Sequence, residues 1–431
     1  MKKIFLTAVG FSMLCRISTY AQFRTDSVKN KNNTSLFVPV DTAASPHNAY
    51  DARQLRVDEV NLVSSYYSQD GNHSPVTGGI GTEKVTDFSN SLDLHLVWPG
   101  QNYNKNTLIL GLGYDNHTSA SQAYINKSGA SKTGGSRVYP SINWTNENAK
   151  TGNTFGFGAY YSGEYNYQSL GADFHFSLKT HDKSGEFSAK LQAYLDQVTL
   201  IYPSEFVPKT TTTVITTRAS SSGGYGESSV SIPSSPRNTF SASLAYSQQI
   251  NSRFQVEFLV DGVTQNGYLS LPFHRVYFNT GKDTIEHLPS SRFKLPLGFR
   301  ANYFLGDNVI LKGYYRYYMD SWGIKSNTAN IEVPVKITPF FSISPFYRHY
   351  DQTAAKYFAP YEAHSLADQY YTSNYAYAKF QSSFYGIGFR VAPPKGVFGM
   401  QNLHELEIRY GHYSQTTDLA SNVISLALGF K

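Results

Sequence analysis

The chain has 431 residues, of which 40% are hydrophobic, 15% aromatic and 16% charged. Beyond the first 21 residues there is no run of about 18 or more apolar residues, which excludes a membrane-spanning helix there. The 37 basic and 31 acidic residues are too nearly balanced to indicate a nucleic-acid partner.

Residues 1–21 have the pattern of a secretory signal peptide. A basic start precedes an apolar run, and the residues up to Ala21 fit a small-x-small cleavage site. Cys15 follows Leu14, where a lipid-anchor signal requires a small residue, so we expect no lipidation. Cleavage near Ala21 would remove the only cysteine, and the mature chain would then have no disulfide, thiolate metal site or cysteine nucleophile.

Residues 22–52 show no periodicity and are rich in Asn, Ser, Thr and Pro, which predicts a flexible periplasmic segment. From residue 53 to residue 431 the chain alternates between apolar and polar residues, as strands with two unlike faces do. In the stretch NSLDLHLVW, for example, three leucines and Trp98 alternate with Ser91, Asp93, His95 and Val97.

About sixteen such segments follow one another, each long enough to cross a bilayer as a strand. Their predicted spans are 55–68, 83–98, 106–117, 136–146, 153–163, 168–179, 186–199, 238–249, 253–262, 293–304, 308–319, 326–337, 339–350, 376–391, 403–414 and 420–430.

The connections between these segments alternate between short and long. The long ones are 118–135, 200–237, 263–292 and 351–375. Outer-membrane barrels have short periplasmic turns and longer outer loops, so this parity predicts that every long loop lies outside. A soluble β-sandwich, the alternative interpretation, has no reason to sort its loops in this way.

The closing stretch SNVISLALGFK places Leu426, Leu428 and Phe430 on one apolar face. We expect this last strand to pair with the first, which closes the barrel, and its apolar face to act as the signal for the barrel-assembly machinery. The prediction is an all-β, closed, transmembrane antiparallel barrel of about sixteen strands, in contact with outer-membrane lipid.

Several stretches resemble DUF3570, an uncharacterised outer-membrane β-barrel family of Gram-negative bacteria. They are 56–90, YDNHTSAS, RVYPSINWTNEN, YQSLGADFHFS, AYLDQVTLIYPSE, LPFHRVYF and the closing RYGHYSQTTDLASNVISLALGFK, and they cover nearly the whole mature chain in order. The resemblance implies the outer membrane of a Gram-negative bacterium. It implies no activity and no catalytic residues.

Loop 266–292 is unusually apolar for a loop in water. Its candidate constriction residues are Leu271, Phe273, His274, Arg275, Tyr277 and Phe278. We expect it to pack into the barrel as a constriction, with a surface for a partner as the alternative. The Tyr-rich loop 356–377 presents the same choice.

The inward faces of the predicted strands carry charges of both signs. The candidate lumen and selectivity residues are Lys312, Arg316, Asp320, Glu405, Glu407 and Arg409. Such charges either tune the passage of solutes or brace the wall by pairing, and the sequence leaves both open. The mixture argues against a strongly anion-selective or cation-selective pore.

Two Asp-x-His pairs on the inward face are weak candidates for catalysis. They are Asp93 with His95 and Asp173 with His175, the second followed by Ser177. A catalytic triad requires direct hydrogen bonds, which we do not expect between residues two apart on one strand. Asp70 and Asn72 supply too few oxygens for calcium, so no metal and no cofactor is predicted.

The function favoured by the sequence is a porin-like channel or solute-binding barrel, with a polar lumen gated by outer loops. A non-conducting barrel plugged by its loops, which docks a periplasmic or surface protein, is the alternative. An outer-membrane hydrolase comes third. A small solute is the expected ligand.

Overall fold

The computed structural model describes residues 55–100, 104–118, 135–206 and 233–431. The predicted signal peptide, 1–21, and the predicted flexible segment, 22–52, lie outside these residues, as do parts of the predicted loops 118–135 and 200–237. The barrel unit spans Leu55–Lys431. No helix in the described part of the chain is long and apolar enough to cross a membrane.

The described residues form one closed antiparallel sheet and one small hairpin. The sheet contains β1 (Arg56–Asp70), β2 (Val85–Pro99), β3 (Lys105–His117), β4 (Gly135–Glu147), β5 (Thr154–Glu164), β6 (Tyr167–Lys179), β7 (Gly185–Thr199), β8 (Ser234–Asn251), β9 (Phe254–Gly267), β12 (Ser291–Leu305), β13 (Val309–Asp320), β14 (Lys325–Glu332), β15 (Val335–Thr338), β16 (Phe341–Gln352), β17 (Phe380–Val391), β18 (Leu403–Gln415) and β19 (Leu419–Phe430). The hairpin is β10 (Arg275–Tyr277) with β11 (Asp283–Ile285), and short 3₁₀ turns lie at Pro75–Thr77, Ser204–Phe206, Tyr375–Tyr377 and Val397–Gly399.

The barrel closes where the first strand meets the last. β1 pairs with β19 from Val60 opposite Phe430 to Asp70 opposite Ala420, and no edge strand remains in the ring. The predicted closure is confirmed. Leu426 on this last strand faces outward, and the role of that face as an assembly signal stays a prediction.

Seventeen strand segments make sixteen strands of the wall, because β14 and β15 are one strand with an interruption. Both pair with β13 on one side and β16 on the other. The interruption falls at Val333 and Pro334, where proline has no N–H to give to the ladder. The predicted count of about sixteen is therefore confirmed.

The alternation of each strand separates a lipid face from a lumen face. On β6, Leu170, Phe174 and Leu178 are 59%, 37% and 49% exposed, whereas Asp173 and Ser177 point inward and are buried. The same outward apolar pattern recurs around the ring. An apolar band of this extent on an outer surface is stable only against hydrocarbon, so the chain is a transmembrane β-barrel.

Candidate functional site

Three long connections at one end of the barrel pack together into what we call the outer lid. They are the β1–β2 loop (71–84), the β9–β12 connection (268–290), which we call the strap, and the β16–β17 loop (353–379). The strap contains the β10–β11 hairpin, which the sequence did not predict. We call the long-loop end of the barrel the outer end.

The order of strands around the ring places the β1–β2 loop and the strap on opposite walls. Counted around the ring from β1, the β1–β2 loop follows the first strand and the strap follows the ninth. The two loops are therefore eight strands apart in a ring of sixteen. A ring of that size, with a strand spacing of about 4.8 Å and a tilt of about 40°, has a diameter on the order of 30 Å. Any contact between these two loops therefore spans the mouth of the barrel.

Arg275 makes such a contact. Its Nη1 donates to the backbone carbonyl of Val76, at 2.7 Å, and its Nε donates to Oε1 of Glu205, at 2.6 Å. The arginine is only 3% exposed. The strap thus crosses the outer mouth and docks on two other loops through one guanidinium group.

A buried carboxylate connects the strap to the β16–β17 loop. Glu286 accepts hydrogen bonds from the backbone N–H of Leu271, at 2.8 Å, and from the hydroxyl of Thr372, at 2.6 Å. His274 lies beside it, with Nδ1 3.5 Å from Oε1 of Glu286. Buried carboxylates require partners of this kind, so the network specifies how the two loops meet.

The strap is anchored on its own side of the wall by apolar contacts. Leu269 and Leu288 pack with Trp322 and Tyr377, and the inward ring of Tyr318 lies against this cluster. The Arg292 guanidinium also lies over the Trp322 ring, 4.4 Å from its centroid. The lid therefore contacts the inner wall of the barrel at its outer end.

The candidate constriction residues all lie in the strap. Leu271, His274, Arg275 and Phe278 are buried, and the partly buried Tyr277 ring packs on Tyr361, with 4.8 Å between centroids. Phe273 is also partly buried and packs edge-on against the His274 ring. The packing agrees with the expected inward position, and a role in constriction stays a prediction.

The Tyr-rich loop 356–377 also packs within the lid. His287 of the strap and Tyr371 exchange two backbone hydrogen bonds, of 3.1 and 2.8 Å, and Phe278 bridges to His364. Val76, Glu205 and Thr372, the partners of the strap, and Glu286 within it were not predicted from the sequence. The one available signal was Gly78–Gly79, whose positive φ angles of 82° and 89° let the β1–β2 loop approach the strap closely.

The acid of the β1–β2 loop, Glu83, has a perturbed pKa. Burial raises the pKa of Glu83, in the β1–β2 loop, to about 7, against a smaller opposing effect of a backbone hydrogen bond from His73. Its backbone carbonyl accepts from the side chain of Gln69. The loop thus contains a group that titrates near neutral pH.

The predicted lumen residues point inward on β13 and β18, and most of them pair along the wall. The ion pairs join Arg292 to Asp320, Arg300 to Glu257, Lys312 to Glu332, Arg390 to Glu405, and Arg409 to both Glu332 and Glu407. Four of these pairs connect neighbouring strands, whereas Arg409 reaches from β18 to Glu332 on β14, past β16 and β17, and pairs with Glu407 on its own strand. Together the pairs brace the wall. A role in selectivity stays a prediction.

The second Asp-x-His pair departs from our expectation. Oδ1 of Asp173 lies 2.8 Å from Nδ1 of His175, so residues two apart on one strand do hydrogen-bond. Nε2 of His175 lies 3.0 Å from the hydroxyl of Thr145. This reach is possible because the facing residues on β5 are Gly156 and Gly158, which leave space for both side chains.

This relay resembles a triad in connectivity, but the backbone N–H groups next to Thr145 are not available to stabilise an oxyanion. Thr145 lies within β4 between two paired strands, and ladder hydrogen bonds already engage the backbone N–H groups around it. The Tyr160 hydroxyl donates to Asp173, and Lys190 Nζ lies 3.5 Å from the same carboxylate. These contacts are those of a polar brace across β4–β7.

The other catalytic candidates lie apart from this relay. Ser177 shares a hydrogen bond of 2.9 Å with Thr154 on the next strand. Asp93 and His95 are on β2, where Asp93 faces Gly111 and Ser141. Thr145 was missed from the sequence because it is 30 residues from His175 and reaches it only through the register of β4, β5 and β6.

Comparison with known proteins adds a family and a set of similar folds. No curated protein matches the chain. Among solved structures, the chain is similar to a bacterial polysaccharide outer membrane secretin, at 10% identity and a TM-score of 0.42, with 86% of this chain and 98% of that chain covered. It is similar to OccK2 (OpdF) from Pseudomonas aeruginosa, at 9% identity and a TM-score of 0.38, with the same coverage.

A BenF-like porin from Pseudomonas fluorescens Pf-5 is similar at 8% identity and a TM-score of 0.40, with 86% of this chain and 98% of that chain covered. The family model described as "Protein of unknown function (DUF3570)" matches residues 113–425, and the chain therefore belongs to the DUF3570 family.

Proposed function

We propose that this outer-membrane barrel is a channel for small polar solutes and that the outer lid is its gate. The observation that carries the proposal is the contact of Arg275 with the carbonyl of Val76, which joins loops from opposite walls across the mouth. A barrel of sixteen strands has an interior wide enough for water, so the lid rather than the wall would limit passage.

The two sides of the lid differ in the way that a gate requires. Apolar packing of Leu269, Leu288 and Trp322 attaches the strap to its own wall. A hydrogen bond from Arg275 to Val76 joins the strap to the β1–β2 loop, and a stack of His73 on Tyr375, with 3.7 Å between centroids, joins the β1–β2 loop to the β16–β17 loop. Water can replace the hydrogen bond at a net cost of only about 0.5–3 kcal/mol, so this seam should open first.

Single-channel recording of the refolded protein in a planar bilayer tests the proposal. The matched variant replaces residues 268–290 with a short Gly/Ser linker that joins Gly267 to Ser291 and leaves both strands complete. We expect rare or brief current steps from the unaltered protein and steady, larger steps from the variant. Silence from both, in protein shown to be folded by its heat-modifiable mobility on gels, would exclude a channel.

A non-conducting scaffold is the second candidate function, and the tight packing of buried side chains in the lid favours it. Leu271, Val276 and Thr372 are at most 1% exposed, as in the core of a soluble domain. A plugged scaffold predicts that the unaltered barrel is silent, that current appears only when the strap is removed, and that a periplasmic or surface protein co-purifies with the barrel. Current steps from the unaltered protein would decide for the gated channel.

A further inference from the structure

The lumen wall beneath the lid contains one arginine that differs from its neighbours. Six other inward arginines each have a carboxylate partner in the wall: Arg137, Arg237, Arg292, Arg300, Arg390 and Arg409 pair with Asp115, Asp196, Asp320, Glu257, Glu405 and Glu332. Arg316 on β13 has no ion pair with any carboxylate in the described part of the chain. Its Nε is buried and has no hydrogen-bond partner there.

The surroundings of Arg316 supply hydrogen-bond donors and further positive charge. In the register of the sheet it lies opposite Gly298 on one side and Thr328 on the other, and Thr328 lies opposite Tyr350. Tyr314 and Tyr350 are both within electrostatic range of its guanidinium group, and because the Tyr350 hydroxyl donates to Oε1 of Gln352, Tyr314 is the tyrosine that would donate to a solute. The next row toward the periplasmic end contains Arg300 and Arg348, on either side of Tyr314.

Three carboxylates of the wall lie near Arg316, and one of them, Asp261 on β9, is within electrostatic range of Tyr314 and forms no ion pair in the described part of the chain. The other two are engaged. Glu257 pairs with Arg300, and Asp320 accepts from Arg292 and from the Tyr318 hydroxyl. The region around Arg316 therefore has an excess of positive charge within a lumen of mixed sign. A guanidinium group binds a carboxylate or a phosphate with two parallel hydrogen bonds, and aromatic hydroxyls donate to the same oxygens.

Arg316 also lies directly beneath the lid. Tyr318, two residues further toward the outer end, packs under the apolar cluster that anchors the strap. Inward residues two apart on a strand are about 7 Å apart along it. A solute that passes the opened lid would meet Arg316 within one row of side chains.

We propose that Arg316 anchors an oxyanion subsite in the lumen, which binds the carboxylate or phosphate group of a small solute just below the lid. The subsite rests on the proposed function, since it names the class of solute that the channel would carry. Tyr314 and Tyr350 line it, and Thr328 lies at its side.

Equilibrium binding to the full-length, detergent-solubilised barrel tests the subsite without any need for current. The probes are inorganic phosphate, observed by ³¹P line broadening, and acetate, observed by ¹H saturation transfer. In Arg316→Gln the dissociation constant of the bound probe should rise by about tenfold or more. Arg316→Lys keeps the positive charge but loses the planar guanidinium group that makes two parallel hydrogen bonds. In this variant the dissociation constant should rise by about twofold to fivefold.

The matched control is Lys336→Gln, which removes one exposed positive charge near the periplasmic end of the same wall. The dissociation constant of the same probe for this variant should stay within about twofold of its value for the unaltered protein. The proposal is overturned when neither probe binds, when Arg316→Gln binds as well as the unaltered protein, or when Lys336→Gln loses as much affinity. If the barrel binds a probe but never conducts, the subsite proposal stands and the channel proposal is contradicted.

Discussion

Arg275 and Val76 are 199 residues apart in the chain and lie on loops from opposite walls, yet the guanidinium of one donates to the backbone carbonyl of the other. The β1–β2 loop and the strap must both extend toward the barrel axis to make this contact. From Gly267 to Arg275 the chain can reach at most about 29 Å when fully extended, so the strap has little slack. This contact is the seam between the two loops over the outer mouth.

Replacing Arg275 with alanine should open the seam. The change removes the hydrogen bonds to Val76 and Glu205 and leaves a void where the side chain was buried. Because hydrogen bonds to charged groups contribute about 1.5–3 kcal/mol, we expect the open probability in bilayer recordings to rise by about tenfold or more. Lys282→Ala, in an exposed position on the same strap, is the control and should leave the open probability unchanged.

A covalent bridge across the seam should have the opposite effect. His73 and Tyr375 stack with their centroids 3.7 Å apart, and the only native cysteine is Cys15 in the predicted signal peptide. In a His73→Cys/Tyr375→Cys variant, a short cleavable bifunctional thiol reagent should lower the open probability by about tenfold, and reduction should restore it. Each single-cysteine variant, treated in the same way, serves as the control. Unchanged openings in fully bridged barrels would show that this seam does not gate.

The packing of the β1–β2 loop should depend on pH through Glu83. Its pKa in the folded loop is raised by burial to about 7, so folding favours the protonated form. The contribution of Glu83 to stability is complete below its unfolded pKa of about 4.5 and declines as pH rises toward 7. Hydrogen-exchange protection of residues 71–84, corrected for intrinsic rates, should therefore fall between pH 5 and pH 8.

Glu83→Gln cannot ionise and should remove most of this pH dependence. The control is Asp70→Asn, which removes an exposed carboxylate at the base of the same loop, paired to Lys84 at 3.5 Å. It should keep the pH profile of the unaltered protein. Equal protection of the unaltered loop at pH 5 and pH 8 would contradict a titrating Glu83.

Arg409 should couple energetically to Glu332. Its Nη2 lies 3.0 Å from Glu332 and its Nη1 lies 3.0 Å from Glu407, and all three side chains are at most 26% exposed. Arg409→Gln leaves two carboxylates on the wall, so we expect a loss of about 1–3 kcal/mol in unfolding free energy and a shift toward cation preference.

The double variant Arg409→Gln/Glu332→Gln should lose less stability than the sum of the two single variants, because each single variant already removes the contact between Arg409 and Glu332, while the ion pair of Glu332 with Lys312 is lost only with Glu332. A denaturant-unfolding cycle with both single variants measures the coupling, and additive effects would show that the pair does not brace the wall.

The wall of the barrel was predictable because it follows from local rules. Alternation on β6 placed Leu170, Phe174 and Leu178 on the lipid face, and the need to leave no open edge predicted that the last strand pairs with the first. The hairpin within the strap was not predicted, since its strands are three residues long and show no useful period. Thr145 was missed because its contact with His175 depends on how β4 is aligned with β5 and β5 with β6, and on the glycines of β5 between them.

By itself the sequence determined the number of strands, their faces and the end at which the long loops lie, since the strand period and loop lengths are local properties of the chain. Only the tertiary structure decided which loops meet over the mouth, that Arg275 joins opposite walls, and that Arg316 differs from the paired arginines around it. Ring closure brings together residues that are hundreds of positions apart in the chain. No local sequence pattern predicts which of their side chains then form hydrogen bonds or ion pairs.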